Sequence, residues 1–305
     1  MAKFLALVSA VFVLFFVVFF SESNRETHSL FYVHGDNIYE TVKHDGSFGT
    51  APAFFIIEKI PEIRSRIATG EYEIQKGETA FSVIGKILSG KRVIRKITIP
   101  EGFTVKMILE IIKNNELLFG ELPENVSEAS LAPDTYFYHF GDSKISLIQK
   151  MKNQMDKIKM RLSPQNKTNL TFDEILILAS IIEKESGNEG EKSLISSVFH
   201  NRLKIKMRLQ SDPTVIYALS DGYGKMDRKI TRQDLWFKSP YNTYRNGGLP
   251  PSPICCPGEK SIIAAMNPEQ TEYLYFVANH DLTAHIFSKD YKTHLKEVRN
   301  SKKNP

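Results

Sequence analysis

The stretch that decides the fold is residues 172–187, which read FDEILILASIIEKESG. Thr171 precedes it and suits a helix N-cap, and the segment is apolar almost all round as far as Ile182. This pattern predicts a helix that lies inside a core. Two carboxylates, Glu183 and Glu185, follow at its carboxyl end. A carboxylate there is costly unless it is paired, protonated or used in chemistry, so this helix end is the first candidate for a functional site.

The pattern does not choose between the two acids. Glu185 continues one apolar stripe of the helix, and Glu183 continues another. Side chains two positions apart on a helix point about 200° away from each other, so one site can contain only one of them. A solvated helix end around Lys184 is the alternative, and the local pattern taken alone favours it.

Two further segments carry polar groups. Residues 198–219 (VFHNRLKIKMRLQSDPTVIYAL) predict a helix, a polar loop and a second helix. Because aspartate at an N-cap followed by proline is a common helix start, Asp212 is predicted to be a cap rather than an acid. Residues 239–254 (SPYNTYRNGGLPPSPI) place aromatic rings beside amides in a Gly/Pro loop. That combination suits sugar rings, but it suits a loop anchored to a core equally well.

The composition limits the classes of molecule that this protein is expected to bind. The 305 residues include 25% charged residues of both signs and carry a net charge of +5. There is no dense Lys/Arg run, so nucleic acid is not expected as a partner. Cys255 and Cys256 are adjacent, which prevents an ordinary disulfide, and they lack the neighbours that a zinc site needs. We expect both cysteines to be structural or incidental, and we expect no metal or cofactor.

The amino terminus predicts the compartment. Residues 4–20 are continuously apolar except for Ser9, and as a helix they would span about 25 Å, enough for a short membrane anchor. Lys3 precedes this run and Glu22 follows it, so the positive-inside rule places the amino terminus in the cytoplasm and the main body in the periplasm. A cleaved signal peptide is the alternative, and it leads to the same compartment.

The other segments predict a mixture of helices and strands, an α+β fold. Residues 30–57 are strand-like, with turns at 35–37 and 45–46, and residues 70–102 predict a strand–helix–strand unit in which Thr79 caps the helix. His285 is isolated and is predicted to be a hydrogen-bonded structural histidine. The remaining predicted elements are helices at 104–118 and 145–162 separated by an aromatic-rich turn at 132–138, a helix at 261–266, a hairpin of 273–280 with 284–288, and a tail helix at 291–300.

Taken in order, these segments resemble the endolytic murein transglycosylase (YceG-like) family of bacteria. The matching stretches are GEYEIQKGETAFSVIGKILSGK (70–91), IPEGFTV (99–105), PDTYFY (133–138), LASIIEKESG (178–187), the two segments at 198–219 and 239–254, and YLYFVAN (273–279). The part before Gly70 matches only loosely, and Cys255 and Cys256 depart from the family's pattern.

The resemblance implies four regions. These are a single transmembrane helix at 1–21, a small LysM-like α+β domain at 30–102, a helical connecting region at 103–165, and a mainly helical, lysozyme-like catalytic domain with a β-hairpin at 166–305. It further implies a lytic transglycosylase that cuts the MurNAc–GlcNAc bond within nascent peptidoglycan and so terminates glycan elongation. Peptidoglycan strands, the inner membrane and the cell-wall synthesis machinery are the implied partners.

The resemblance also assigns roles to residues. The second glutamate of the E-K-E motif is the family's essential residue, which makes Glu185 the predicted catalytic acid/base and Glu183 a supporting residue. The predicted substrate-binding residues are Glu183, Arg208, Gln210, Asp212, Tyr241, Asn242 and Tyr244. All of them except Glu183 lie in loops that are expected to line the glycan cleft. A hydrolytic muramidase using Glu185 with Asp212, and a non-catalytic peptidoglycan-binding protein, are the alternatives.

Overall fold

The structure is a computed structural model that describes residues 2–19, 29–33, 51–281 and 283–303. The chain divides into two compact units. The first comprises Met1–Lys96 with Glu116–Phe119 and Phe137–Ser143, and the second comprises Ile97–Asn115, Gly120–Tyr136 and Lys144–Pro305. The first unit's main segment ends at Lys96. Most of the predicted connecting region, 103–165, belongs to the second unit. The LysM-like and lysozyme-like assignments stay predictions.

The first unit is built on a two-stranded antiparallel sheet. Strands β1 and β2 pair so that Phe31 lies opposite Tyr72, and Tyr72 is fully buried in this unit's core. Helix α4 begins where the sequence predicts, because the Thr79 side chain accepts a hydrogen bond from the Ser82 N–H. The elements are α1 (Ala2–Phe19), β1 (Ser29–Val33), α2 (Ala51–Glu58), α3 (Pro61–Arg64), β2 (Gly70–Ile74) and α4 (Ala80–Leu88).

The strand-like prediction for residues 30–57 is wrong over its last part. Ala51–Glu58 is a helix, and its buried residues Ala53, Phe54 and Ile57 have the spacing of one helical face, which tertiary packing favours over strand propensity. The turns predicted at 35–37 and 45–46 lie outside the described residues. Within the described ranges, no helix is both long enough and apolar enough to cross a membrane.

The second unit is built around a buried helix, α7 (Phe172–Glu185). Helix α7 starts with a capping box, in which the Thr171 side chain accepts from the Glu174 N–H and the Glu174 side chain accepts from the Thr171 N–H. Ile175, Leu178 and Ile182 of this helix are fully buried, which confirms the predicted core position. Around it lie α5 (Val105–Lys113), α6 (Lys144–Leu162), α7 (Phe172–Glu185), α8 (Lys192–Lys204), α9 (Asp212–Leu219), α10 (Glu259–Met266) and α11 (Tyr291–Lys303), with strands β5 (Tyr275–Ala278) and β6 (His285–Ser288).

One aromatic segment differs from its prediction. Residues 135–138 form strand β4 (Thr135–Tyr138), which pairs with β3 (Arg95–Thr98), where the sequence predicted a turn. Tyr136 and Tyr138 are both buried while Phe137 is exposed, which is the alternation of a strand. The hairpin prediction is confirmed, since β5 and β6 pair in antiparallel register with Ala278 opposite His285.

Candidate active site

Glu185 is the last residue of α7, and its side chain is half-buried. The Ser211 hydroxyl donates a hydrogen bond of 2.6 Å to its Oε1 atom. The other carboxyl oxygen, Oε2, has no hydrogen-bond partner among the residues that the structure describes. One oxygen of this carboxyl group is therefore fixed, and the other is available to a ligand.

The surroundings of Glu185 favour its protonated form. Burial is the largest effect and raises the pKa of Glu185 from 4.5 to about 7. The Ser211 hydrogen bond opposes this rise, the charge of Asp212 adds to it, and the charges of His285 and Arg202 oppose it. A pKa near 7 lets the carboxyl group both give and take a proton at neutral pH.

Ser211 is held in place by a buried network of hydroxyl groups. Its N–H donates to Thr243 Oγ1 at 3.0 Å, and Thr243 Oγ1 lies 2.9 Å from Thr214 Oγ1. Thr214 Oγ1 also donates to the Ser211 carbonyl at 2.7 Å. Since all three residues are buried and hydrogen-bonded, the network fixes the hydroxyl that contacts Glu185. The sequence predicts a polar loop here, but no local pattern indicates that Ser211 and Thr243 meet beside Glu185.

Two further groups set the charge around Glu185. Arg202, on α8, is buried and donates to the carbonyls of Leu209 and Leu274. Burial lowers the pKa of Arg202, and the charge of Glu185 is among the effects that oppose this. His285 Nδ1 lies 2.8 Å from Glu191 Oε2, so the prediction of a hydrogen-bonded histidine is confirmed. Apart from its position in a predicted helix, no pattern in the sequence points to Arg202.

The structure does not bring Glu183 together with Glu185. Lys192 Nζ lies 3.2 Å from Glu183 Oε1, while the Gly258 N–H and the Ser261 hydroxyl donate to Oε2 at 3.0 and 2.6 Å. Both members of the ion pair are nearly inaccessible, with side-chain exposures of 5% for Lys192 and 9% for Glu183. Glu183 thus joins the end of α7 to the start of α10.

The start of α9 differs by one residue from its prediction. Ser211 is the N-cap, with extended backbone angles, whereas Asp212 is already the first helical residue and Pro213 the second. Asp212 is therefore not the cap, because the backbone turns into the helix one residue earlier. Its Oδ1 atom instead accepts a hydrogen bond of 2.5 Å from the Tyr244 hydroxyl.

The other predicted cleft residues fall into two groups. Arg208 and Gln210 are exposed and line a pocket together with Tyr244, and Arg208 Nη1 donates to the Tyr244 carbonyl at 3.0 Å. Asn242 is completely buried and makes backbone hydrogen bonds, and the Tyr241 hydroxyl lies 2.7 Å from Ser252 Oγ. These last two residues anchor the loop that carries Tyr244.

Within the described ranges, no group of three or more His, Cys, Asp or Glu residues is arranged to hold a metal ion. Cys255 and Cys256 are free and fully buried, in line with the structural role expected of them.

The fold and the site together describe an α+β chain in which a serine of a polar loop positions a half-buried carboxylic acid, Glu185. The chain belongs to the YceG-like family, whose model matches residues 33–300. It is 33% identical over 265 residues to the endolytic murein transglycosylase of Bacillus subtilis, covering 76% of this chain and 72% of that protein. It is 30% identical over 264 residues to the endolytic murein transglycosylase of Streptococcus pneumoniae D39, covering 70% of this chain but only 47% of that longer protein.

A solved structure supports the fold. The crystal structure of a YceG-like protein from Listeria monocytogenes superimposes with a TM-score of 0.56 at 30% sequence identity. The match covers 89% of this chain and 99% of that one. The likeness extends to the whole of the Listeria chain.

Proposed function

We propose that this chain is a lytic transglycosylase that cleaves the MurNAc–GlcNAc bond within peptidoglycan strands and leaves 1,6-anhydromuramyl ends. Its relatives from Bacillus and Streptococcus carry the name endolytic murein transglycosylase. The observation that carries the proposal is Glu185, whose pKa is raised to about 7 and whose Oε2 atom has no partner among the described residues.

The reaction needs one group that first gives and then takes a proton. Protonated Glu185 donates from Oε2 to the bridging oxygen as the bond to the anomeric carbon breaks and oxocarbenium character develops. The muramyl C6 hydroxyl then attacks that carbon and gives its proton back to the Glu185 carboxylate. No water is consumed, and the enzyme returns to its starting state. The Ser211 hydrogen bond to Oε1 stabilises the carboxylate between the two steps.

Hydrolysis with Asp212 as a second carboxylate is the alternative reaction. The charge of Asp212 acts on Glu185, which keeps this alternative open. However, the Tyr244 hydroxyl already occupies Asp212 Oδ1. The two reactions differ in their products, because hydrolysis leaves a reducing end that is heavier than an anhydro end by one water.

The test is mass spectrometry of sacculi digested by the purified protein. Wild type is expected to release fragments with anhydromuramyl ends, and Glu185→Gln is expected to release none. Glu124→Gln is the matched control, because Glu124 is an exposed carboxylate. Fragments with reducing ends would show that the reaction is hydrolysis rather than transglycosylation. Full cleavage by Glu185→Gln would refute the proposed mechanism.

We also propose that residues 4–20 anchor the chain in the inner membrane, with the second unit in the periplasm near newly made strands and the synthesis machinery. The apolar run supports this, as do Phe12 and Leu14, which are 70% and 65% exposed on α1. Such a position would let cleavage end glycan elongation. Removal of residues 1–21 is expected to move the protein from the membrane fraction to the soluble fraction, and protease added to spheroplasts is expected to degrade the main body.

A further inference from the structure

A second feature of the same loops is a pocket of about 530 Å³ rich in arginine. Its lining includes Arg208, Arg232 and Arg245, the aromatic side chain of Trp236, and no acidic residue. None of the three arginines forms an ion pair with any residue that the structure describes. Three cations gathered without a counter-charge repel one another, so such a pocket favours an anionic ligand.

Trp236 is exposed on a backbone that is held firmly. Its side chain is 73% exposed, which is unusual for the largest apolar residue. The Asn242 amide donates to the carbonyls of Leu235 and Phe237 at 3.0 and 2.8 Å, and Arg245 donates to the carbonyl of Trp236 at 3.1 Å. Three successive carbonyls are thus fixed by side chains from one loop. A rigid, exposed aromatic ring is suited to stacking on the apolar face of a sugar.

The pocket and Glu185 are built on the same two loops. Gln210 lines the pocket and directly precedes Ser211, whose hydroxyl contacts Glu185. Tyr244 lines the pocket with its ring, while its hydroxyl binds Asp212, the residue after Ser211. A ligand in this pocket would therefore lie along the same loops that hold the acid.

We propose that this pocket is the subsite for a muramyl residue that carries its peptide stem. The sugar ring stacks on Trp236, and the carboxylates of the stem bind the arginines. This inference rests on the proposed function for the identity of the substrate. It adds that the enzyme reads the peptide as well as the glycan, and it adds Arg232, Trp236 and Arg245 to the substrate-binding residues.

Arg232→Gln tests the charge. Arg232 makes no hydrogen bond with other described residues, so its substitution leaves the loop intact, unlike substitution of Arg208 or Arg245. On strands that keep their peptides, kcat/KM is expected to fall about tenfold through a higher KM, the usual effect of a lost charge-assisted hydrogen bond. On strands stripped of peptides by an amidase, no change is expected. Lys229→Gln, which removes the same charge outside the pocket, is expected to match wild type on both.

Trp236 provides a readout that does not need cleavage. It is the chain's one tryptophan, so fluorescence excited selectively at tryptophan reports on this pocket. In the Glu185→Gln background, a disaccharide carrying its peptide stem is expected to change the fluorescence, with a Kd that Arg232→Gln raises about tenfold. The peptide-free disaccharide is expected to bind more weakly and without sensitivity to Arg232.

The outcomes separate this inference from the proposed function. If the peptide-bearing disaccharide changes the fluorescence but the wild type cleaves no strands, the subsite is supported and the proposed reaction is refuted. If wild type cleaves strands but Arg232→Gln matches wild type on the peptide-bearing strands, or if the fluorescence never changes, the subsite is overturned and the reaction is kept.

Discussion

At the scale of single residues, two glutamates on one helix end have opposite surroundings. Glu183 is neutralised by Lys192 and two donors from the start of α10. Glu185 accepts from one serine, and among the residues that the structure describes its second oxygen has no partner. The helix pattern predicted that they would separate, but not which of them is paired. That information lies in partners distant in sequence, such as Ser211 and Ser261, which no local periodicity contains.

The raised pKa of Glu185 predicts how activity depends on pH. The acid must be protonated to start the reaction, so kcat/KM is expected to fall above about pH 7, by about tenfold for each further pH unit. Ser211→Ala removes a hydrogen bond that lowers this pKa, so the alkaline limb of the profile is expected to move to higher pH. A limb near pH 4.5 in the wild type would contradict the assignment.

The raised pKa of Glu185 also predicts how the free energy of unfolding depends on pH. The pKa of Glu185 is raised from 4.5 to about 7, so between these values the folded chain holds a proton that the unfolded chain has released. The contribution of Glu185 to stability is therefore complete below pH 4.5 and falls as the pH rises to 7. Relative to wild type, Glu185→Gln is expected to gain stability between pH 5 and 7.5 in urea titrations. A constant difference across that range is the contrary result.

Glu183 should behave as a residue of the fold. Glu183→Gln leaves the buried ammonium of Lys192 without its counter-ion, and we expect a loss of about 3 kcal/mol in the free energy of unfolding. Lys192→Met in the same chain is expected to recover much of that loss, because the uncompensated charge is gone. Urea denaturation measures both, with Glu124→Gln as the control. A Glu183→Gln chain as stable as that control would argue against the paired role.

At the scale of elements, the sequence predicted those whose signal is local. The Thr171 and Thr79 caps, the buried character of α7 and the β5–β6 hairpin all follow from short patterns. The predictions that are wrong concern elements whose structure depends on partners distant in sequence. Strand β4 exists because β3 pairs with it, and Ala51–Glu58 is helical because its apolar face packs into the first unit's core.

The capping box of α7 predicts a measurable contribution to stability. Thr171→Ala removes the hydroxyl that accepts from the Glu174 N–H, and a loss of about 1 kcal/mol is expected. Thr171→Ser keeps the hydroxyl and is expected to lose far less. Both can be compared by thermal unfolding of the purified protein. Equal losses for alanine and serine would mean that the methyl group, rather than the cap, matters.

At the scale of the whole molecule, the two cysteines report on the integrity of the second unit. Cys255 and Cys256 are fully buried, and burial raises the pKa of both thiols well above the usual range. Thiol reagents at pH 8 are expected to react with neither in the folded protein and with both in urea. Rapid labelling of the native chain would show that residues 254–256 open readily. As urea unfolds α7, the two thiols are expected to become reactive at the same urea concentration, because the Cys255 thiol donates to the carbonyl of Ser180 on that helix.

The Arg202 guanidinium has a consequence for biosynthesis. It takes its acceptors from Leu209, which follows shortly in sequence, and from Leu274, which is translated much later. A growing chain that has not reached residue 274 leaves a buried cation without one of its acceptors. His285, whose charge also acts on Glu185, emerges later still. The ribosome must therefore have made most of the second unit before Glu185 acquires its final surroundings. A polypeptide that ends before residue 274 lacks both this acceptor and His285, and it is expected to be inactive.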